Sequence, residues 1–105
     1  MNNRKKVEAF LTNDEGLNLL KAVDLLNPIT IPANKIHTIK DLSVYMGLPL
    51  RETWTLIDEA YEAGLVMFCG GLLSRKKIDL TDLGEMFCEC STPEHIKEVL
   101  KNVKD

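Results

Sequence analysis

The chain has 105 residues, of which 45% are apolar and 28% charged, with six glycines and four prolines. That balance fits one globular domain over residues 1–105 and excludes low-complexity disorder and collagen-like repeats. The net charge of −3 argues against a surface that binds nucleic acid all round. The longest uncharged apolar stretch, residues 64–73, is too short to span a bilayer. Arg4-Lys5-Lys6 leads into Glu8 and Asn13-Asp14-Glu15 rather than into an apolar signal segment. A soluble, cytoplasmic protein without membrane association is expected.

Val7, Phe10 and Leu11, spaced three and four apart, predict a short amphipathic helix over residues 1–11. Thr12-Asn13-Asp14 offers N-cap side chains and Glu15 adds negative charge to a first turn. Leu17, Leu20, Val23 and Leu26 then give the apolar face of a helix over 14–26, ended by Asn27-Pro28. Residues 28–37, with two prolines and alternating apolar positions, read as extended chain or a short edge strand. Thr38-Ile39-Lys40-Asp41 has the form of a capping box with Asp in place of Glu. The helix it opens turns Ile39, Leu42, and Tyr45 or Met46 inward, and Gly47 suits its left-handed C-terminal residue.

Pro49 fits the first turn of a following helix, about 49–63, whose stripe runs through Leu50, Thr53 or Trp54, Ile57, Ala60 or Tyr61, and Gly64. Leu65 to Cys69 is β-prone, and Gly70-Gly71 tolerates the positive φ of a tight turn. Residues 72–80 return as a second strand, making a β-hairpin or a hairpin with a longer tip. Thr81 starts a helix bearing Leu83, Met86, Phe87 and Cys90, and Thr92-Pro93-Glu94 restarts it toward a last stripe of Ile96, Val99, Leu100 and Val103. The fold class is mainly α with a small β-hairpin (α+β).

Charge is unevenly spread along these elements. Residues 65–80 carry Arg75, Lys76 and Lys77 against Asp79, whereas residues 49–64 carry Arg51 against Glu52, Asp58, Glu59 and Glu62. Positive charge is therefore focused at Arg75–Lys77, with a second focus at Arg4–Lys6.

Three strings in this order carry a family resemblance. The run from Ile39 to Pro49 resembles the first helix and turn of a helix-turn-helix, where a Leu packs inward and a Gly turns the chain. Ile57 to Val66 resembles the end of a recognition helix running through Gly64-Leu65-Val66 into a wing. Leu80-Thr81-Asp82-Leu83-Gly84 is similar to the Leu-Thr-x-x-Gly stretch that closes the wing in prokaryotic transcription regulators of the MarR and PadR type. The resemblance covers a core of about residues 14–84, with a helix before it and a C-terminal helical extension over 85–105.

It implies a winged helix-turn-helix that binds double-stranded DNA as a transcription regulator. The recognition helix, about 49–63, would offer its N-terminal half to a major groove. Arg51 would meet a base edge or phosphate, with Thr55 one turn on along the same face. Thr38, Lys40 and Ser43 would meet phosphates from the preceding helix, and Arg75, Lys76 and Lys77 would be the basic wing, about 65–80. One departure favours an alternative: Glu52, Asp58, Glu59 and Glu62 put carboxylates on the recognition helix, three of them in the C-terminal half that often tilts out of the groove. That alternative is a winged-helix module that binds a protein partner and lacks DNA affinity.

Ile96, Val99, Leu100 and Val103 either cap the core or form a dimer interface, joined by Val7, Phe10 and Leu11. A homodimer is expected, because two-fold symmetry matches paired half-sites. Trp54 reads as a core or edge anchor, or else as an exposed aromatic for a partner. Three cysteines make no disulfide framework, and Cys88-x-Cys90 puts two thiols about 200° apart on a helix, which is not a zinc signature. Buried packing is expected for them, with no metal or other cofactor, although Cys69, Cys88 or Cys90 with His37 or His95 is a conceivable responsive site. His37 and His95 read as surface residues. Gly70-Gly71 is followed by no Gly-Lys-Ser/Thr, and no Ser/His/Asp or carboxylate-pair motif is present, so no enzyme activity and no catalytic residue are expected.

Overall fold

Short-range side-chain caps start four of the helices, at Asn13, Thr38, Thr81 and Thr92. In a computed structural model of the chain, which describes residues 3–27, 29–30, 37–70 and 76–103, the order is α1 (Asn3–Thr12), α2 (Asp14–Leu26), β1 (Ile29–Thr30), β2 (His37–Thr38), α3 (Ile39–Met46), α4 (Leu50–Glu62), β3 (Val66–Gly70), β4 (Lys76–Leu80), α5 (Asp82–Cys88) and α6 (Pro93–Leu100). The described chain is mainly helical with one small sheet.

Asn13 starts α2 by accepting the Glu15 N–H at 3.0 Å. The capping box at α3 is complete: the Thr38 N–H donates to Asp41 Oδ2 at 2.8 Å, and the Asp41 N–H donates to Thr38 Oγ1 at 3.4 Å. Gly47 ends α3 at φ 69°, its N–H reaching the last-turn carbonyls. Pro49 precedes α4 as its N-cap instead of standing in the first turn, and no side chain caps that helix. Thr53, fully buried, donates both its N–H and its hydroxyl to the Pro49 carbonyl, at 3.0 and 3.1 Å.

The sheet order is β2-β1-β4-β3. β3 and β4 run antiparallel from Val66↔Leu80 to Gly70↔Lys76. β1 is antiparallel to β4 through Ile29↔Ile78 and Thr30↔Lys77, and parallel to β2. The 28–37 segment therefore supplies an interior strand as well as an edge, because Ile29 is drawn into the core beside Ile78. Gly70 is paired with Lys76, so Gly70-Gly71 is not a two-residue turn and the hairpin has a longer tip; the second strand is described from Lys76 onward. Residues 71–75, which include Gly71 and the expected wing residue Arg75, lie outside the described residues. Strand alternation turns Val66, Ile78 and Leu80 inward and leaves Met67, Cys69 and Lys77 exposed.

One apolar cluster unites the elements, from Val7 on α1 through Leu20, Val23, Leu42, Ile57, Leu65 and Phe87 to Val103. On α4 the buried positions are Thr53, Leu56, Ile57 and Ala60. Leu50, expected inward, is exposed because it opens the helix at the edge of its packed arc, and Tyr45 and Met86 are exposed as well. Met46, the other candidate on α3, packs against the core. In the last stripe Val99, Leu100 and Val103 are buried within the chain itself, Ile96 is half-buried, and Val7, Phe10 and Leu11 are buried with them.

A polar joint fastens the hairpin to α5. The Thr81 N–H donates to the Leu65 carbonyl at 3.0 Å, and the Thr81 hydroxyl donates to the Gly64 carbonyl at 2.6 Å while accepting the Gly84 N–H at 3.0 Å. Gly64 takes φ 76°, and a Cβ on Gly84 would run into the Leu65 carbonyl oxygen. The Leu-Thr-x-x-Gly string thus has a local physical cause. Thr81→Val is expected to cost about 2 kcal/mol and Gly84→Ala a similar or larger amount, about 2–3 kcal/mol. Thr55→Ala on the exposed face should stay within about 0.5 kcal/mol. Urea unfolding checks all three, and an equal loss at Thr55 would remove the joint's special status.

Candidate nucleic-acid interface

Helical geometry puts Arg51, Thr55, Asp58 and Glu62 on one outward stripe of α4, opposite the buried Thr53, Leu56, Ile57 and Ala60. Arg51 and Thr55 are one turn apart, and the Thr55 hydroxyl donates to the Arg51 carbonyl at 3.0 Å. Its lone pairs stay free to accept. The Arg51 guanidinium is exposed and, among the described residues, holds no hydrogen bond or ion pair.

The acidic half of the same helix faces α1. A groove of about 450 Å³ lies between them, lined on α1 by Lys6, Ala9 and Phe10, and on α4 by Thr55, Asp58, Glu59 and Glu62. Lys6 Nζ stands 3.6 Å from Glu62 Oε2. An exposed pair of this kind contributes at most about 1 kcal/mol to stability, but it lowers the negative field at the end of α4. Sequence reasoning located both partners, the basic Arg4–Lys6 focus and the acids of 58–62, without joining them. Their opposite sign was the signal that could have done so.

On α3 the expected phosphate ligands divide. Lys40 is exposed. Ser43 is buried, and its hydroxyl donates to the Lys40 carbonyl at 2.8 Å, so it is committed inside the helix and does not reach a phosphate. Thr38 is held by the capping box, its hydroxyl also 3.3 Å from Asp41 Oδ2. Lys77 is exposed on β4, tied by no hydrogen bond or ion pair to Arg51 or Lys40 among the described residues. The side chain of Lys76 and all of Arg75 lie outside the described residues.

A second surface feature was not foreseen. Val44, Tyr45 and Leu50 are 73%, 56% and 47% exposed, within seven residues that span the end of α3 and the start of α4. Trp54 is half-buried against the core, an edge anchor.

Cys69 is exposed, Cys88 half-buried and Cys90 buried. Burial pushes the Cys88 thiol above its usual range, with Asp24 adding to the rise and Lys21 opposing it. Burial likewise raises Cys90. Both thiols are aimed at backbone oxygens, Cys88 at Leu20 (3.7 Å) and Cys90 at Met86 (3.6 Å). His95 is exposed in the first turn of α6, and the side chain of His37 lies outside the described residues. Among the described residues no cluster of three His, Cys, Asp or Glu could hold a metal ion, and no helix is long and apolar enough to cross a membrane.

Compared with known proteins, the chain matches no family model, no curated sequence and no solved structure.

The thiol environments predict graded reactivity. A thiol-specific chromogenic reagent at pH 8 should modify Cys69 quickly and Cys88 and Cys90 far more slowly, since the thiolate is the nucleophile. Three equal rates in the native protein would contradict the burial of Cys88 and Cys90. Because both pKa values are raised on folding, the associated stability is present below the thiols' unfolded pKa and is lost as pH climbs through the folded values. Urea midpoints should therefore fall above about pH 9.

Proposed function

We propose that this chain is a winged helix-turn-helix protein of the MarR/PadR type that binds double-stranded DNA, acting as a non-catalytic transcription regulator. The reading rests on the charge division along α4. Its N-terminal half presents Arg51 and Thr55 without an ion pair, while Asp58, Glu59 and Glu62 are gathered toward the basic α1. Three of the four acids that argue against DNA, Asp58, Glu59 and Glu62, therefore sit away from the end of the helix that enters a groove, while Glu52 shares the first turn with Arg51 and is left to accept from a base amino group. The element order supports the same reading: α3 and α4 joined across the left-handed Gly47, then a β3–β4 hairpin whose second strand pairs with β1. Arg51 and Thr55 are assigned to base edges or phosphates, and Lys40 and Lys77, with Arg75 and Lys76, to phosphates.

The exposed Val44, Tyr45 and Leu50 favour a second reading, a module that docks a protein through the helix-turn-helix surface. Fluorescence anisotropy of a labelled mixed-sequence duplex at two salt concentrations separates the two. DNA binding predicts a Kd of about 10⁻⁴–10⁻⁶ M near physiological salt, with affinity falling steeply as salt rises. Neutralising Arg75, Lys76 and Lys77 together should flatten the salt slope by about one for each phosphate that is no longer neutralised. Arg51→Ala should cost a selected site about 1–3 kcal/mol more than a random one. No binding at low salt would replace the DNA reading with the protein-docking one.

A further inference from the structure

A cleft lies apart from α3 and α4, between α1, the start of α2, and α6. It encloses about 810 Å³, within the range of small-molecule sites. Its floor is apolar: Leu11, Leu17, Ile96 and Leu100 all line it, and Leu17 and Ile96 are only half-buried. Its charged groups are Arg4, Lys97 and Lys101 against the single acid Glu8. The side chains of these three cations make no hydrogen bond and no ion pair among the described residues, and Arg4 is half-buried as well. A half-buried guanidinium without a carboxylate is costly to leave unpaired and well shaped to accept one. In a chain of net charge −3, this local excess of cations over an apolar floor is opposite in sign to the whole.

We infer that this cleft binds a small amphiphilic carboxylate, an aliphatic chain ending in one anionic head. The chain would lie on the Leu11, Leu17, Ile96 and Leu100 floor, and the head would take the unpaired Arg4, Lys97 and Lys101 side chains. A neutral chain would satisfy only the floor, and a bare anion only the cations. The inference is independent of DNA binding, since none of these residues lies on α3, α4 or the hairpin.

Isothermal titration of the full chain with decanoate, below its micelle concentration, tests this against 1-decanol and against the Lys97→Glu/Lys101→Glu double variant. Both lysines are exposed, so the variant is expected to fold, which circular dichroism checks; Ile96→Asp, at the half-buried floor, is a second probe. The expected result is one saturable site that prefers decanoate to decanol by about tenfold and loses about tenfold in the charge-reversed variant. No saturable binding, equal binding of decanol, or unchanged affinity in the double variant would overturn it. So would binding confined to phosphatidylglycerol vesicles or to a Leu/Glu helical peptide, with none of monomeric decanoate; those results would assign the cleft to a membrane surface or to a protein partner.

Discussion

The arrangement depends most on one joint, where the Gly64 and Leu65 carbonyls meet Thr81 and Gly84. The chain leaves α4 after Glu62, turns at Gly64 and re-enters helix at Asp82, so the whole hairpin hangs between Gly64 and Asp82. Thr81 closes its base with two donated hydrogen bonds, to Gly64 and Leu65. With the base closed, Val66 lies opposite Leu80 and the remaining pairs follow in step. A slip of one residue would turn Val66, Ile78 and Leu80 out to solvent together. Gly84 then lets α5 come down directly on the Leu65 carbonyl, which delivers Phe87 to the core. One hydroxyl and one missing Cβ thereby couple the sheet, α4 and α5.

Charge on this protein acquires meaning only in its tertiary setting. Taken along the chain, residues 49–64 are strongly acidic. In the fold, that acidity is polarised along α4, with Glu62 answered by Lys6 and Asp58 and Glu59 bordering the same groove. A helix can thus be acidic in sum while its leading turn is balanced, Arg51 standing beside Glu52. Local potential, rather than net charge, governs what approaches such a helix.

Features written in short-range chemistry were legible from the sequence. The Thr38–Asp41 box, the left-handed Gly47 and the caps at Asn13, Thr81 and Thr92 each involve residues within a few positions of one another, and each forms as the residue types predict. What was not legible depends on distant neighbours. Nothing near Ile29 says that it will pair with Ile78. Leu50 and Leu56 are equally apolar, and only the position of α4 over α2 and α3 decides that Leu56 is inside. Ser43 resembles a phosphate ligand in sequence, yet its hydroxyl turns back on Lys40 because the site is buried. The α6 stripe reads as core or interface, and only the distant α1, packed against it, shows that Val99, Leu100 and Val103 are buried within the chain.

The first helix looks like the least constrained part of the chain, since it is short and opens with three consecutive basic residues. Its neighbours say otherwise. Val7, Phe10 and Leu11 are fixed in the core, Lys6 and Ala9 form the wall of the α4 groove, and Arg4, Glu8 and Thr12 form the wall of the α6 cleft. Gly16 pins its far end, because a Cβ there would strike the Phe10 carbonyl. Inserting one residue in α1 would rotate every earlier position by about 100° relative to the rest of the chain, exchanging core, acid-facing and cleft-facing positions at once. In α1, helical phase is the constrained quantity: side chains can be exchanged for similar ones, but the length between Arg4 and Gly16 cannot change.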